Sequence, residues 1–216
     1  MILEIIPMSI TLYTSQASIG VVSHIALEES ALPFEAVALD FAKKQQSSAD
    51  YLEINPKARV PSLVVAEGII TETPAILTYL AQIAPNSSLA LPNDPFEYAQ
   101  IQSFNAYLCS TVHVAHAHKL RGSRWVDDEA SMKSMTQNIP KTMALCFDMI
   151  EQQMLKGLWV HGSEFTISDP YLYRISSWAE GDGVDINNYP KIKAHREAMA
   201  QRDSVRAVEA FFQPDS

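Results

Sequence analysis

A segment rich in proline, asparagine and serine, residues 85–95 (PNSSLALPNDP), separates two parts of the chain whose sequence patterns differ. Such a composition is typical of a linker. Before it, signals for strands and helices alternate, whereas after it only helical periodicity occurs. The sequence therefore predicts two domains, a mixed α/β domain over residues 10–84 and an all-helical domain over residues 96–212.

The first domain has the pattern of a small mixed sheet. β-branched and aromatic residues predict strands at 10–14, 34–39 and 61–66, and helical spacing of apolar residues predicts a helix at 20–30. A Glu67-Gly68 turn and a short strand, GIIT (68–71), then predict a hairpin. Thr73-Pro74 predicts the start of another helix, with threonine as its N-cap and proline at its first position. The order is β-α-β, a loop, then β-β-α, with helices packed on the sheet.

Composition excludes several classes of protein. Of the 216 residues, 47% are hydrophobic, and the formal net charge is −9, which disfavours both disorder and general nucleic-acid binding. No apolar run reaches the ~18–20 residues that span a membrane. The apolar N-terminus lacks a basic region and a cleavage site, so it does not resemble a signal peptide, and Met8 is an alternative start. Cys109 and Cys146 have no disulfide or zinc spacing, which favours a reducing, cytoplasmic location.

Two segments of the first domain could bind a peptide-like ligand. In NPKARVPSL, a cis bond at Val60-Pro61 would turn the polar backbone groups of Val60 towards a ligand, as an added strand would need. The alternative is an ordinary proline at a strand start. In TETPAIL, Glu72 and Thr73 lie where a strand meets a helix, and the helix N-terminus attracts anions while a carboxylate accepts an amine. The alternative is a plain helix cap.

The order of these segments resembles the thioredoxin-like domain of the cytosolic glutathione S-transferases, which implies β-α-β-α-β-β-α topology. FTISDPYLY (165–173) is similar to the capping box of the family's helical domain, with Thr166 and Asp169 at the start of a buried helix. The resemblance covers residues 10–212 and is greatest to the bacterial beta class. That class has a cysteine where this chain has Ile19. Pro61 and Val60 match the family's Val-Pro pair and imply glutathione binding.

The resemblance also implies how the glutathione thiol is activated. Because a free thiol has a pKa of roughly 8.5, a hydroxyl that donates to sulfur stabilises the reactive thiolate. Ser18 lies where theta-like and delta-like members carry a catalytic serine, and Ser15 is the second candidate. Ser18 could equally be the N-cap of the first helix. One residue could also do both.

Further contacts with substrate are implied for the helical domain. Ser110 and His113 match residues that approach glutathione in beta-like members, although His113 could simply be part of a polar helix face. Tyr107, Arg121 and Trp125 are candidates for the electrophile pocket. His116 and His118 accompany His113 in YLCSTVHVAHAHKLR, but no convergent third ligand is apparent, so no metal is expected.

Positive charge in the first domain is concentrated near the expected ligand. Residues 1–85 contain nine acidic side chains and only four basic ones, which are Lys43, Lys44, Lys57 and Arg59. In the family this stretch flanks the glycyl carboxylate of glutathione, and either Lys43 or Lys44 could make the contact. The alternative is a solvated loop.

The resemblance implies transfer of glutathione to a small hydrophobic electrophile, a detoxification activity, by a cytoplasmic bacterial homodimer that needs neither nucleic acid nor membrane. A glutathione-dependent isomerase, dehalogenase or peroxidase could be built on the same scaffold. A non-catalytic glutathione-binding or regulatory protein is a third possibility, because a scaffold can keep its binding site and lose its chemistry.

Overall fold

The computed structural model describes residues 10–213, so the alternative start at Met8 lies outside the described part. The chain forms two compact units. Within the described residues, the first holds 10–90 and 206–213, and the second holds 91–205. The division after Ala90 falls inside the predicted linker. The last helix differs from the sequence analysis, because residues from Arg206 onwards group with the first unit rather than with the helical one.

The first unit has the thioredoxin-like fold. Its elements are β1 (Thr11–Thr14), α1 (Gly20–Ser30), β2 (Glu35–Ala38), α2 (Ala49–Ile54), β3 (Ser62–Val65), β4 (Gly68–Thr71) and α3 (Thr73–Ile83). The strand order is β2-β1-β3-β4, with β1 parallel to β2 and antiparallel to β3, and with β3 antiparallel to β4. This confirms the predicted mixed sheet.

Two local details differ from the sequence analysis. The hairpin turns at Ala66 and Glu67 rather than at Glu67 and Gly68, because Gly68, at φ 147°, already pairs with Val65 as the first residue of β4. The N-cap position of α3 is held by Glu72 rather than Thr73, which is the first helical residue. Pro74 therefore occupies the second position of the helix. In both cases the observed position lies one residue before the predicted one.

Helix α1 is buried along nearly its whole length. Only Glu28 and Glu29 are partly exposed, as their charge predicts. The helix starts against the end of β1, and a Cβ on Gly20 would lie 2.7 Å from Thr14 Oγ1, so this close approach requires glycine. His24 is buried among the edges of three aromatic rings, those of Phe34, Phe211 and Phe212, with ring centroids 4.8–6.0 Å away.

His24 should make stability depend on pH. Burial lowers its pKa from 6.5 to about 4, so the folded protein keeps the ring neutral where the unfolded chain binds a proton. The contribution of the neutral His24 ring to the free energy of unfolding is complete above pH 6.5. It falls by about 1.4 kcal/mol per pH unit as the pH decreases from 6.5 towards 4. Urea unfolding at several pH values should therefore give a shallower pH dependence for His24→Phe than for the wild type. Parallel curves would contradict this.

The second unit is helical. Its helices are α4 (Pro95–Tyr107), α5 (His113–Arg121), α6 (Glu129–Met149), α7 (Ser168–Ser176) and α8 (Pro190–Ala200), and α9 (Asp203–Phe211) begins within it. Single π-helical turns follow α4 at Leu108–Val112 and α6 at Ile150–Met154. In residues 10–213, no helix is long and apolar enough to cross a membrane.

A buried carboxylate organises the start of α7, as the capping box predicts. The Thr166 N–H and hydroxyl donate to Asp169 Oδ2, at 2.6 and 3.0 Å, and the Val160 N–H donates to Oδ1 at 2.8 Å. His195 Nε2 lies 3.1 Å from the same Oδ1. Both Asp169 and His195 are completely buried. The motif therefore joins the 160–166 segment, α7 and α8 through one side chain.

Candidate functional site

The register of the sheet brings three chain segments of the first unit together. Ser62, the first residue of β3, pairs with Tyr13 on one side and with Thr71 on the other. The chain after β1, the chain before β3 and the chain after β4 therefore meet at one edge of the sheet. These are the segments that carry Ser15, Val60-Pro61 and Glu72-Thr73, so these three groups of candidates share one location.

The Val60-Pro61 peptide bond is cis. Both residues are buried, and they precede β3 rather than forming part of it. The side chain of Arg59 is exposed, whereas its carbonyl oxygen accepts hydrogen bonds from two buried side chains, Tyr51 and Asn55.

Glu72 links the end of β4 to the start of α3 in an unusual conformation. Its φ is 72°, a value that residues other than glycine seldom adopt, and its side chain is 57% exposed. Lys57 Nζ donates to Thr71 Oγ1 at 2.7 Å and to Glu72 Oε1 at 2.5 Å. An ammonium group therefore already contacts the carboxylate that the sequence analysis assigned to an amine. Thr73 is buried.

The two candidate serines differ in their contacts. Ser18 donates its hydroxyl to Ser15 O at 2.8 Å and accepts the Gly20 N–H at 3.0 Å. Ser18 therefore satisfies the first N–H group of α1 and has a capping role, although the N-cap position itself is held by Ile19, one residue after the position raised from the sequence. The Ser15 hydroxyl has no hydrogen bond to any residue in the range 10–213. Thr14 Oγ1 is also buried without a partner among these residues, and no sequence pattern marked it.

The two candidate lysines lie on an exposed turn. Lys43 Nζ is 3.3 Å from Asp40 Oδ2, and Lys44 has a φ of 56° at the start of a short 3₁₀ helix. Hydrogen bonds from the Lys43 and Ala42 backbone, together with the Lys43 side chain, hold the pKa of Asp40 below its usual range. The charge of Lys43 is thus partly neutralised by Asp40, whereas Lys44 forms no ion pair with any residue in the range 10–213.

The candidates of the second unit are spread along α4, α5 and the turns that follow. Ser110 is exposed and donates to Ala106 O at 2.8 Å. Burial, and to a lesser extent the neighbouring Cys146, raises the pKa of the Tyr107 hydroxyl. Trp125 is exposed and contacts the edge of His118 at 4.5 Å, and Arg121 is half-buried.

His113 belongs to a ring cluster on the second unit. Its centroid lies 5.2 Å from Trp178, on which His116 stacks at 4.0 Å. His116 Nδ1 is 2.6 Å from Asp182 Oδ2, and Lys119 Nζ is 3.3 Å from the other oxygen of this buried carboxylate. Across residues 10–213, no three histidine, cysteine or acidic side chains converge to form a metal site.

Comparison with known proteins agrees with this geometry. A family model described as the glutathione S-transferase N-terminal domain matches residues 8–82. A glutathione transferase homologue from Sulfitobacter, solved with bound glutathione, is 48% identical over 94% of this chain and 98% of its own, with a TM-score of 0.91. The glutathione S-transferase GST-4.5 of Xanthomonas campestris is 27% identical over 91% of this chain and 96% of its own. Maleylacetoacetate isomerase of Pseudomonas aeruginosa is also 27% identical, over 95% of this chain and 97% of its own. The chain therefore belongs to the glutathione transferase family.

Proposed function

We propose that this glutathione transferase conjugates the glutathione thiolate to a small hydrophobic electrophile. The observation that carries the proposal is the meeting of Ser15, Val60-Pro61 and Glu72-Thr73 at one edge of the sheet. The Sulfitobacter relative, which was solved with glutathione, supports the choice of ligand. The curated relative from Xanthomonas supports the class of reaction.

Each part of this edge suits one part of glutathione. The backbone of Val60 would pair with the cysteinyl peptide group, as an added strand does. The Glu72 carboxylate would accept the ligand ammonium in place of Lys57, and the N-terminus of α3 at Thr73 would attract the adjacent carboxylate. Lys44 and Arg59, with Lys43 beside Asp40, would supply positive charge for the glycyl carboxylate.

Thiol activation is assigned to a hydroxyl after β1. The Ser18 hydrogen is already donated to Ser15 O, so Ser18 would have to break this bond before it could donate to sulfur. Ser15 has no such bond within the described chain. We therefore assign the donation to Ser15 and the capping of α1 to Ser18. We also propose, on the family resemblance, that glutathione is approached by Ser110 and His113. The proposed electrophile pocket contains Tyr107, Arg121 and Trp125.

Isothermal titration with glutathione tests the binding site. The wild type should bind, and Glu72→Gln should weaken binding about tenfold because it removes a charge-assisted hydrogen bond. Glu67→Gln is the matched control, since it makes the same charge change in the turn at the other end of the hairpin. Equal affinities for wild type and Glu72→Gln would remove Glu72 from the site.

A glutathione-dependent isomerase is the second candidate, favoured by the Pseudomonas maleylacetoacetate isomerase that matches nearly the whole chain. A transferase consumes one thiol for each product molecule, whereas an isomerase uses glutathione without consuming it. Loss of free thiol, measured with an aromatic halide and separately with a cis-unsaturated diacid, distinguishes the two. Binding without turnover of either would favour a non-catalytic glutathione-binding protein.

We also propose a homodimer in the cytoplasm, on the family resemblance. Sedimentation at micromolar concentration should give about twice the 24.0 kDa mass of the chain. A mass equal to that of one chain would contradict the dimer.

A further inference from the structure

A buried polar network lies beneath the loop that connects α2 to β3. Tyr51 Oη donates to the carbonyl oxygen of Arg59 at 2.6 Å, and Asn55 Nδ2 donates to the same oxygen at 2.7 Å. Both side chains also contact Ser62 Oγ, at 2.9 and 3.1 Å. Tyr51, Asn55 and Ser62 are all buried. A buried network whose bonds are satisfied holds its members in one arrangement.

The network holds the chain on both sides of one dipeptide. Arg59 and Ser62 are the residues immediately before and after Val60-Pro61, and each is bonded to both Tyr51 and Asn55. The Arg59 side chain remains exposed, so only the backbone of that residue is restrained. The backbone of Val60 is therefore fixed from both flanks rather than by contacts of its own side chain alone.

Asn55 also connects this loop to the start of α3. Its Oδ1 accepts the Lys57 N–H at 3.1 Å, so one amide side chain makes three hydrogen bonds within the loop. Lys57 in turn contacts Thr71 and Glu72 through Nζ. Asn55 thus acts on Val60 through the flanking Arg59 and Ser62, and on Glu72 through Lys57.

We propose that Asn55 is a positioning residue that holds the two halves of the glutathione site, Val60 and Glu72, in register, with Tyr51 as its partner. This rests on the proposed function, because the site is defined by glutathione. Asn55 is buried and is not among the residues assigned to contact glutathione or its sulfur, so its loss should act on binding and not on the chemical step.

The binding test compares two variants with a matched control. Asn55→Ala should raise the glutathione Kd about tenfold or more, and Tyr51→Phe, which loses one hydroxyl, should raise it about threefold. Turnover at saturating glutathione should stay within about twofold of the wild type. Ser30→Ala removes another buried hydrogen bond of the same unit, from Ser30 Oγ to Leu27 O, and should leave the Kd unchanged. Wild-type affinity in folded Asn55→Ala, or in Tyr51→Phe, would overturn the proposal.

A double-mutant cycle tests the link to α3. If Asn55 acts on Glu72 through Lys57, the effects of Asn55→Ala and Glu72→Gln on Kd should be less than additive. The cycle of Asn55→Ala with Glu67→Gln should be additive, because Glu67 lies outside the network. Additivity in both cycles would overturn the coupling through Lys57.

A readout without ligand separates this inference from the proposed function. Backbone amide exchange in residues 57–62 should accelerate in Asn55→Ala and in Tyr51→Phe but not in Ser30→Ala. Failure of the wild type to bind glutathione would refute the proposed function alone. Unchanged exchange in this loop would refute the positioning role whatever the ligand.

Discussion

Replacing Asp169 with alanine should lower the free energy of unfolding by about 3–5 kcal/mol, because each buried or partly buried donor that loses its acceptor costs about 1–3 kcal/mol. The loss is large because Asp169 is completely buried and accepts hydrogen bonds from Val160 N and from two groups of Thr166, with His195 as a fourth neighbour. Alanine would leave the buried Val160 N–H and the partly buried Thr166 groups without an acceptor. For a chain of this length the melting temperature should fall by roughly 10 °C.

The control is a carboxylate with the same local role on the surface. Asp94 caps α4 by accepting the N–H groups of Phe96 and Glu97, both at 2.9 Å, but it is exposed. Asp94→Ala should therefore cost only about 1 kcal/mol. Thermal and guanidinium unfolding of both variants measures the difference. A cost for Asp169→Ala no greater than that for Asp94→Ala would show that the buried network adds nothing to a simple cap.

Removing the Ser15 hydroxyl should lower kcat/KM with glutathione and an aromatic halide about 100-fold, the typical effect of losing one hydrogen-bond donor to a developing or stabilised anion. The apparent pKa of the bound thiol, measured from thiolate absorbance in the complex, should rise. The reason is that the thiolate would lose a donor while the neutral thiol loses little. Ser15→Ala is expected to fold normally, because this hydroxyl bonds no other residue in the range 10–213.

Ser18→Ala is the comparison. It removes the bonds to Ser15 O and from Gly20 N, so it should lower stability by about 1 kcal/mol. Its thiol pKa should stay near that of the wild type. The reverse pattern, with the thiol pKa raised only in Ser18→Ala, would transfer the catalytic role to Ser18 and leave Ser15 as a neighbour.

Local sequence signals predicted the elements well, because strand and helix patterns depend on residues close together in the chain. The mixed sheet, α1 and the capping box at Thr166 and Asp169 all follow from such patterns. The differences were shifts of one residue at the hairpin turn and at the cap of α3, and a loop predicted where the structure has α2, a helix that only the family resemblance implied. At the cap of α3 a positive φ falls on Glu72, which is not a residue type that favours it.

The site was only partly predictable. Val60, Glu72 and Ser15 stand out through a Val-Pro pair, a strand-helix junction and a hydroxyl after a strand. Lys57 stood out only as one of four basic residues and Asn55 did not stand out, because their contacts depend on partners that the sequence does not indicate. Lys57 meets a carboxylate 15 positions away, and Asn55 bonds backbone groups whose direction is set by the loop. An asparagine before proline is by itself only a turn signal.

The sequence alone determined the two-part organisation, the order of the elements and the family resemblance, since each rests on periodicity, turn residues or short motifs. The tertiary structure decided which hydroxyl is committed to a cap, which ammonium contacts Glu72, and which side chains restrain Val60. The contact of Lys57 with Glu72 depends on the pairing of Ser62 with both Tyr13 and Thr71, which brings distant segments to one edge. Hydrogen bonds require contact within about 3 Å, and for residues far apart in the chain only the folded sheet supplies it.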